Sequence, residues 1–301
     1  MTPRPLLLRL AWSLRDYAKR VWDNSGEDNI FFLAGGIAFN ILLAAIPFFL
    51  LLITGLAYLL DMGAESSSAE ITALIDRFLP VSQGPDSPLR TLIADVLRSG
   101  AQVTALSAVT FVWLSTRLFG SLRTVLAEVF DIETDRGIIA GKVFDAKISL
   151  VATVLVAAYS ALNVYLAAAT TRGVAVLADI GLREEQMGLV EETIGRVLAF
   201  AFILLMFFAL YKYLPLRRIR WQTAFIAALF TSTAFEIAKN VFTRYVTSFA
   251  PGGIYTGTIL ALVLLVIWVY YAAMIFVLGG EVAQVYELRR VRRMQRETFE
   301  E

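Results

Sequence analysis

The residues with the most chemical potential in this chain sit where charge is least expected. The stretch "AFEIAKNVFTRYV", Ala234 to Val246, carries Glu236, Lys239, Asn240 and Arg244 inside an otherwise apolar run. Glu236 and Lys239 are three residues apart and Asn240 is four from Glu236, so a helix brings all three to one face. Burying a charge in a bilayer costs about 2.5 to 3.5 kcal/mol even on the lenient insertion scale. An intrahelical ion pair lowers that cost without removing it, so this face is expected to turn to protein or water rather than to lipid. Two roles follow: a polar lining to an intramembrane cavity, or a satisfied pair that fixes helix packing. Arg244 lies close enough to the far interface to snorkel.

Other polar groups within apolar segments are weaker candidates. Asn40, Ala44 and Pro47 share one helical face; Pro47 frees a carbonyl and bends the helix, as a static kink or a gate, while Asn40 is expected to hydrogen-bond across helices. Arg117 is placed to snorkel to the nearer interface. Glu281 closes the last apolar segment and is expected to cap it or pair with the basic loops. The pairs Gly35-Gly36, Gly252-Gly253 and Gly279-Gly280 fit turns or close backbone approach, since none has the strand, spacing or terminal Lys-Ser of a phosphate cradle.

The chain contains no Cys and no His. Disulfides, thiol nucleophiles, imidazole bases and His-containing triads are thereby excluded. No enzymatic activity and no cofactor or metal are expected.

The elements that hold these residues are membrane spans. The 301 residues are 58% hydrophobic and 18% charged, with a mean hydropathy of +0.67, a balance foreign to soluble domains. Six stretches reach the length needed to cross a bilayer: Ile30 to Leu60, about Ala101 to Leu122, Ile148 to Ala169, Val197 to Tyr213, Trp221 to Val246 and Ile254 to Val282. The expected fold is therefore an all-α integral membrane protein with a six-helix transmembrane domain over residues 30–285. Residues 1–29 read as a cytoplasmic amphipathic segment, with Leu7, Leu10, Leu14, Tyr17 and Val21 on one side of an interfacial helix. Residues 286–301 form a basic cytoplasmic tail.

Lys and Arg concentrate in the N-terminal segment, the second-to-third and fourth-to-fifth connections and the tail, which places both termini in the cytoplasm. The outer loops are then 61–100, 170–196 and 247–253. The first is patterned for two short amphipathic helices: Ile71, Leu74, Ile75, Phe78, Leu79 and then Leu89, Leu92, Ile93, Val96, Leu97 repeat the same helical spacing. The second is acidic and long enough for a further short helix. No cleavable signal segment is evident.

Three segments carry a family resemblance. "LAGGIAFNILLAAIPFFLLL", "YLPLRRIRWQTAFIAALFTSTAFEIAKNVFTRYV" and "GGIYTGTILALVLLVIWVYYAAMIFVLGGEV" resemble, in order, the corresponding segments of the YihY/BrkB-like membrane proteins, once labelled ribonuclease BN. Tyr255, Gly257, Gly280 and Glu281 fall on the last of these motifs, and the resemblance implies a gating or structural role for them. Asn40 and Ala44-Ala45 depart from the family pattern, as does Gly280, where Ala tends to precede the Glu. The resemblance implies a multi-pass protein of the bacterial inner membrane connected with envelope integrity and lipid movement, of phospholipids or lipopolysaccharide precursors. The ribonuclease label fits a chain without His or a soluble domain poorly.

The expected function is to move or handle a lipid through a cavity lined by the fifth span, with Glu236, Lys239, Asn240, Arg244, Asn40 and Arg117 along the pathway. The alternatives are a small-solute or ion transporter with Glu236 as the proton or cation site, and a non-transporting envelope scaffold. Membrane lipids are the expected partners, with a periplasmic or envelope protein and a second copy of the chain left open, and no nucleic acid.

Overall fold

A computed structural model of the chain describes residues 6–59, 100–132, 141–148, 150, 151, 154, 184–215, 217, 219–249 and 258–300. Among these, all regular structure is helical. The principal helices are α1 (Leu6–Glu27), α2 (Ile30–Leu59), α3 (Gly100–Val129), α4 (Glu184–Tyr213), α5 (Trp221–Phe249) and α6 (Thr258–Glu300). Residues 141–148 form a shorter helical segment. The third predicted span, the two predicted helices of the first outer loop, Tyr255 and Gly257 lie wholly or largely outside the described residues.

Helices dominate because backbone groups in lipid must bond within their own segment. Three of them contain stretches long and apolar enough to cross a membrane, Ile30–Phe48, Trp221–Val246 and Leu262–Arg292, and Val197–Tyr213 is a shorter apolar one. α2 continues unbroken past Pro47 for another turn and more, although Pro removes one N–H from the ladder. α4 starts at Glu184, so the second half of the predicted outer loop is an extension of the span rather than a separate helix. α6 is longer still. Its 43 residues extend about 65 Å at 1.5 Å per residue, well beyond a hydrocarbon core of about 30 Å, so the basic tail is a rigid continuation of the span.

α6 is the hub. It packs against α1, α2, α3 and α5, while α2 also packs on α3 and α4 on α5. The deepest side chains, among them Ile37, Leu126, Tyr211, Leu214 and Val277, come from the faces these helices share. Large apolar residues such as Phe32, Trp113 and Ile237 point outward, as a membrane protein's lipid-facing surface requires.

Two left-handed residues end helices at the same end of the bundle. Asn29, at φ 50°, turns α1 directly into α2, with its carbonyl accepting from the Phe32 and Leu33 amides at 2.8 and 3.2 Å. Asp131, at φ 49°, closes α3: its amide donates to Glu128 O at 3.0 Å and the Ile132 amide to Ala127 O at 2.8 Å, the two bonds of a Schellman ending. Gly usually takes that position; Asn and Asp tolerate it better than other side chains. The α4–α5 connection lies at this end too, because Thr223 donates to the Glu287 carboxylate on α6.

Candidate functional site

α5 divides into a packing face and a polar flank. Ala224, Ala227, Ala228, Thr231 and Ser232 are fully buried, and these small residues let neighbouring helices approach closely. Gly279 of α6 meets them there. A Cβ at Gly279 would fall 1.9 Å from Thr231 Oγ1 and 2.5 Å from the Tyr211 hydroxyl. That space is taken by a hydrogen-bonded knot: Tyr211 of α4 donates its hydroxyl to Phe276 O at 2.6 Å and lies 2.8 Å from Thr231 Oγ1, with its ring stacked on Phe276 at 4.9 Å. A buried tyrosine hydroxyl demands such partners.

The polar flank runs one turn at a time along the same helix. Lys239 Nζ donates to Glu236 at 2.7 Å, and the two side chains are 30% and 37% exposed, so the pair sits at the margin of the packed interior. Thr243 Oγ1 donates back to Lys239 O at 2.8 Å, and one turn before the pair the buried Ser232 hydroxyl has no hydrogen-bond partner. Asn240 is exposed and donates to Glu236 O at 2.8 Å; Arg244 is exposed as well. α5 thus brings Glu236, Lys239 and Asn240 together as their spacing predicts. Arg244 lies further round the helix.

The remaining predicted residues do not join them. Asn40 donates to Gly36 O at 2.8 Å, within its own helix and not across to another as expected, because one turn back the carbonyl is the nearest acceptor. Pro47 is buried and Arg117 exposed. Gly280 faces α3, where a Cβ would touch Val129 Cγ1 at 3.0 Å.

Glu281 requires a correction. It does not meet basic loops; it is fully buried, and no N–H or O–H donor reaches either carboxylate oxygen. The group beside it is another acid, Asp28 of the α1–α2 turn. Asp131 is the next acid, held by Gln284 Nε2 at 2.8 Å, and Asn24 Nδ2 donates to Gln284 Oε1 at 3.0 Å. Burial pushes the Asp28 carboxyl above the ordinary range, opposed by its neighbour Glu281 and assisted by Asp131, Glu128 and Glu27. The α6 helix places Glu281 here because Gly279 and Gly280 let it settle against its neighbours.

A further buried ion pair ties α3 to the 141–148 segment. Arg123 grips Asp145 with Nε and Nη2 at 3.2 and 3.3 Å, and the carboxylate is 3% exposed. Spacing along the sequence gave no hint of this pair or of the acid cluster, since their members come from different helices. The Gly279-Gly280 pair was the one usable signal of the Tyr211 knot. Among the described residues, no group of three or more His, Cys, Asp or Glu side chains is placed to hold a metal ion.

The profile of the family described as Virulence factor BrkB matches residues 21–300. UPF0761 membrane proteins are similar: one from Pelodictyon phaeoclathratiforme is 27% identical over 91% of this chain and 60% of its own length. Another from Alteromonas mediterranea is 25% identical over 85% of the chain and 82% of the relative, and one from Ralstonia nicotianae 28% over 95% and 62%. The chain therefore spans about three-fifths of the first and third of these relatives. No solved structure matches it. The profile covers almost the whole chain with the polar α5 flank and the Gly279-Gly280-Glu281 segment inside it, and the chain belongs to the BrkB virulence factor (YihY/BrkB) family of membrane proteins.

Proposed function

We propose that this protein resides in the bacterial inner membrane with both termini cytoplasmic and handles an anionic amphiphile, of phospholipid or lipopolysaccharide-precursor type, along the polar flank of α5. It performs no covalent chemistry. The observation that carries this reading is the Glu236–Lys239 pair, 2.7 Å apart and about one-third exposed within a membrane-crossing stretch. The ammonium has three donors and Glu236 takes one of them. A phosphate can therefore be met by the others while the acyl chains stay against the apolar surface formed by residues such as Ile237 and Val241. Arg244 stands nearer the end of the helix, where a headgroup would enter. The family's description as a virulence factor agrees with a role in the envelope.

Native mass spectrometry of protein released from its membrane tests the reading. Wild type is expected to retain an anionic lipid, and Lys239→Met to lose it while keeping its melting temperature. Equal retention by the two proteins counts against the site.

A further inference from the structure

We infer that Asp28 and Glu281 together form a proton-binding site at the junction of the α1–α2 elbow with α6. The inference stands on this junction alone and is independent of the lipid reading of α5.

Glu281 is fully buried, and both its oxygens lack a donor. Two carboxyls stand side by side at a buried position only when one of them holds a proton. Asp28 is the carboxyl beside Glu281, where Tyr17 and Asn24 of α1 bond to Val282 O and Gln284 of α6. Among the described residues, the charged groups acting on them give no other means of neutralisation. α3 contributes Glu128 and Asp131, and α1 contributes Glu27, all acids. α1 also brings Tyr17, whose hydroxyl is committed to Val282 O. α2, packed on the same hub helix, carries no charged residue from Ile30 to Leu59. Asp131 already accepts from Gln284, and with no metal-type cluster among the described residues the site fits a proton rather than a divalent cation.

Removing the proton leaves a negative charge on a side chain fully shielded from water, beside the carboxyl of the partly exposed Asp28. The relief available is separation, and the part able to move is the elbow, since Glu281 is fixed within the long hub helix. Proton binding therefore holds α1 on α6, and proton loss releases it.

Infrared spectroscopy of the full chain in phosphatidylcholine nanodiscs, across a pH titration, reads the site directly. Wild type is expected to show the stretch of one protonated carboxyl at neutral pH, disappearing as pH rises. Glu281→Gln and Asp28→Asn each supply an amide N–H donor to the remaining carboxylate, so both are expected to lack that band. Because the chain has no Cys, spin labels at Trp22→Cys and Val291→Cys give a second readout without background. Their separation should lengthen with pH in the otherwise wild-type chain and become independent of pH in either variant. Should one variant fail to fold, the other carries both readouts. Absence of the protonated band at neutral pH, or a band unchanged in both variants, overturns the inference; so does a label distance insensitive to pH in wild type.

Discussion

Gly279 leaves no room for a methyl group. Its missing side chain is what allows Tyr211, Thr231 and the Phe276 carbonyl to close their knot, so Gly279→Ala must push apart α4, α5 and α6. Overpacking of this kind costs about 1–3 kcal/mol, and a Cβ 1.9 Å from Thr231 Oγ1 puts this site at the upper end. Gly36 is the control, because its added Cβ meets nothing within 4 Å. Thermal melting in detergent should show a clear loss for Gly279→Ala and no loss for Gly36→Ala. Similar melting temperatures for the two would mean that the knot does not hold the helices. Both glycines stood in Gly-Gly pairs with the same apparent meaning in the sequence. What separates them is which helix lies opposite, and no local pattern encodes that.

At the scale of elements, the Arg123–Asp145 pair fastens α3 to the 141–148 segment. Taking away one member of a buried pair strands the other and costs about 3–5 kcal/mol, whereas replacing both with apolar residues is often close to neutral. Asp145→Ala is therefore expected to melt far earlier than wild type, and Arg123→Met with Asp145→Leu to recover most of that loss. No recovery in the double variant would show that the charges themselves are required. The docking of α1 on α6 makes a separate prediction. Burial raises the Tyr17 hydroxyl from 10.0 to about 12, opposed by the Arg289 guanidinium 4.9 Å from its ring and assisted by Tyr286. A group that holds its proton more tightly when docked stabilises docking fully below its ordinary value and loses that contribution as pH climbs through the raised one. In the Glu281→Gln chain, where α1 stays docked as pH rises, phenolate absorbance taken as the difference made by adding Tyr17→Phe should accordingly appear near pH 12. Titration near 10 would place α1 away from α6.

The elements themselves were legible to different degrees. The shared face of Glu236, Lys239 and Asn240 follows from spacing within one helix, and the structure forms it. Helix ends were less legible: α6 runs on through the basic tail because Glu, Arg and Gln propagate a helix as readily as apolar residues do. Glu281 was misjudged for a related reason. An acid at the end of a span beside many arginines reads as their partner, but the turn at Asn29 and the ending at Asp131 bring two other acids to it instead.

For the whole molecule, the contacts gather α1, the end of α3, the α4–α5 connection and the tail of α6 at one end. These are the segments in which Lys and Arg concentrate, and the orientation proposed from the positive-inside rule puts that end in the cytoplasm. Single cysteines at Asp23, Arg220 and Val291 should react with a membrane-impermeant maleimide in inverted vesicles and resist it in intact cells. Labelling of any one from outside would break the shared orientation. With this end inward, the Glu236–Lys239 pair lies past the middle of α5 toward the outer leaflet, beside the headgroups it is proposed to meet.

Transbilayer movement of a fluorescent anionic phospholipid in proteoliposomes puts the central claim to its most direct test. Wild type should accelerate that movement over empty vesicles, and Lys239→Met, reconstituted at equal density, should fall back to the empty-vesicle rate. Acceleration undiminished in Lys239→Met, or none with wild type, would contradict a lipid-handling role for the polar flank of α5.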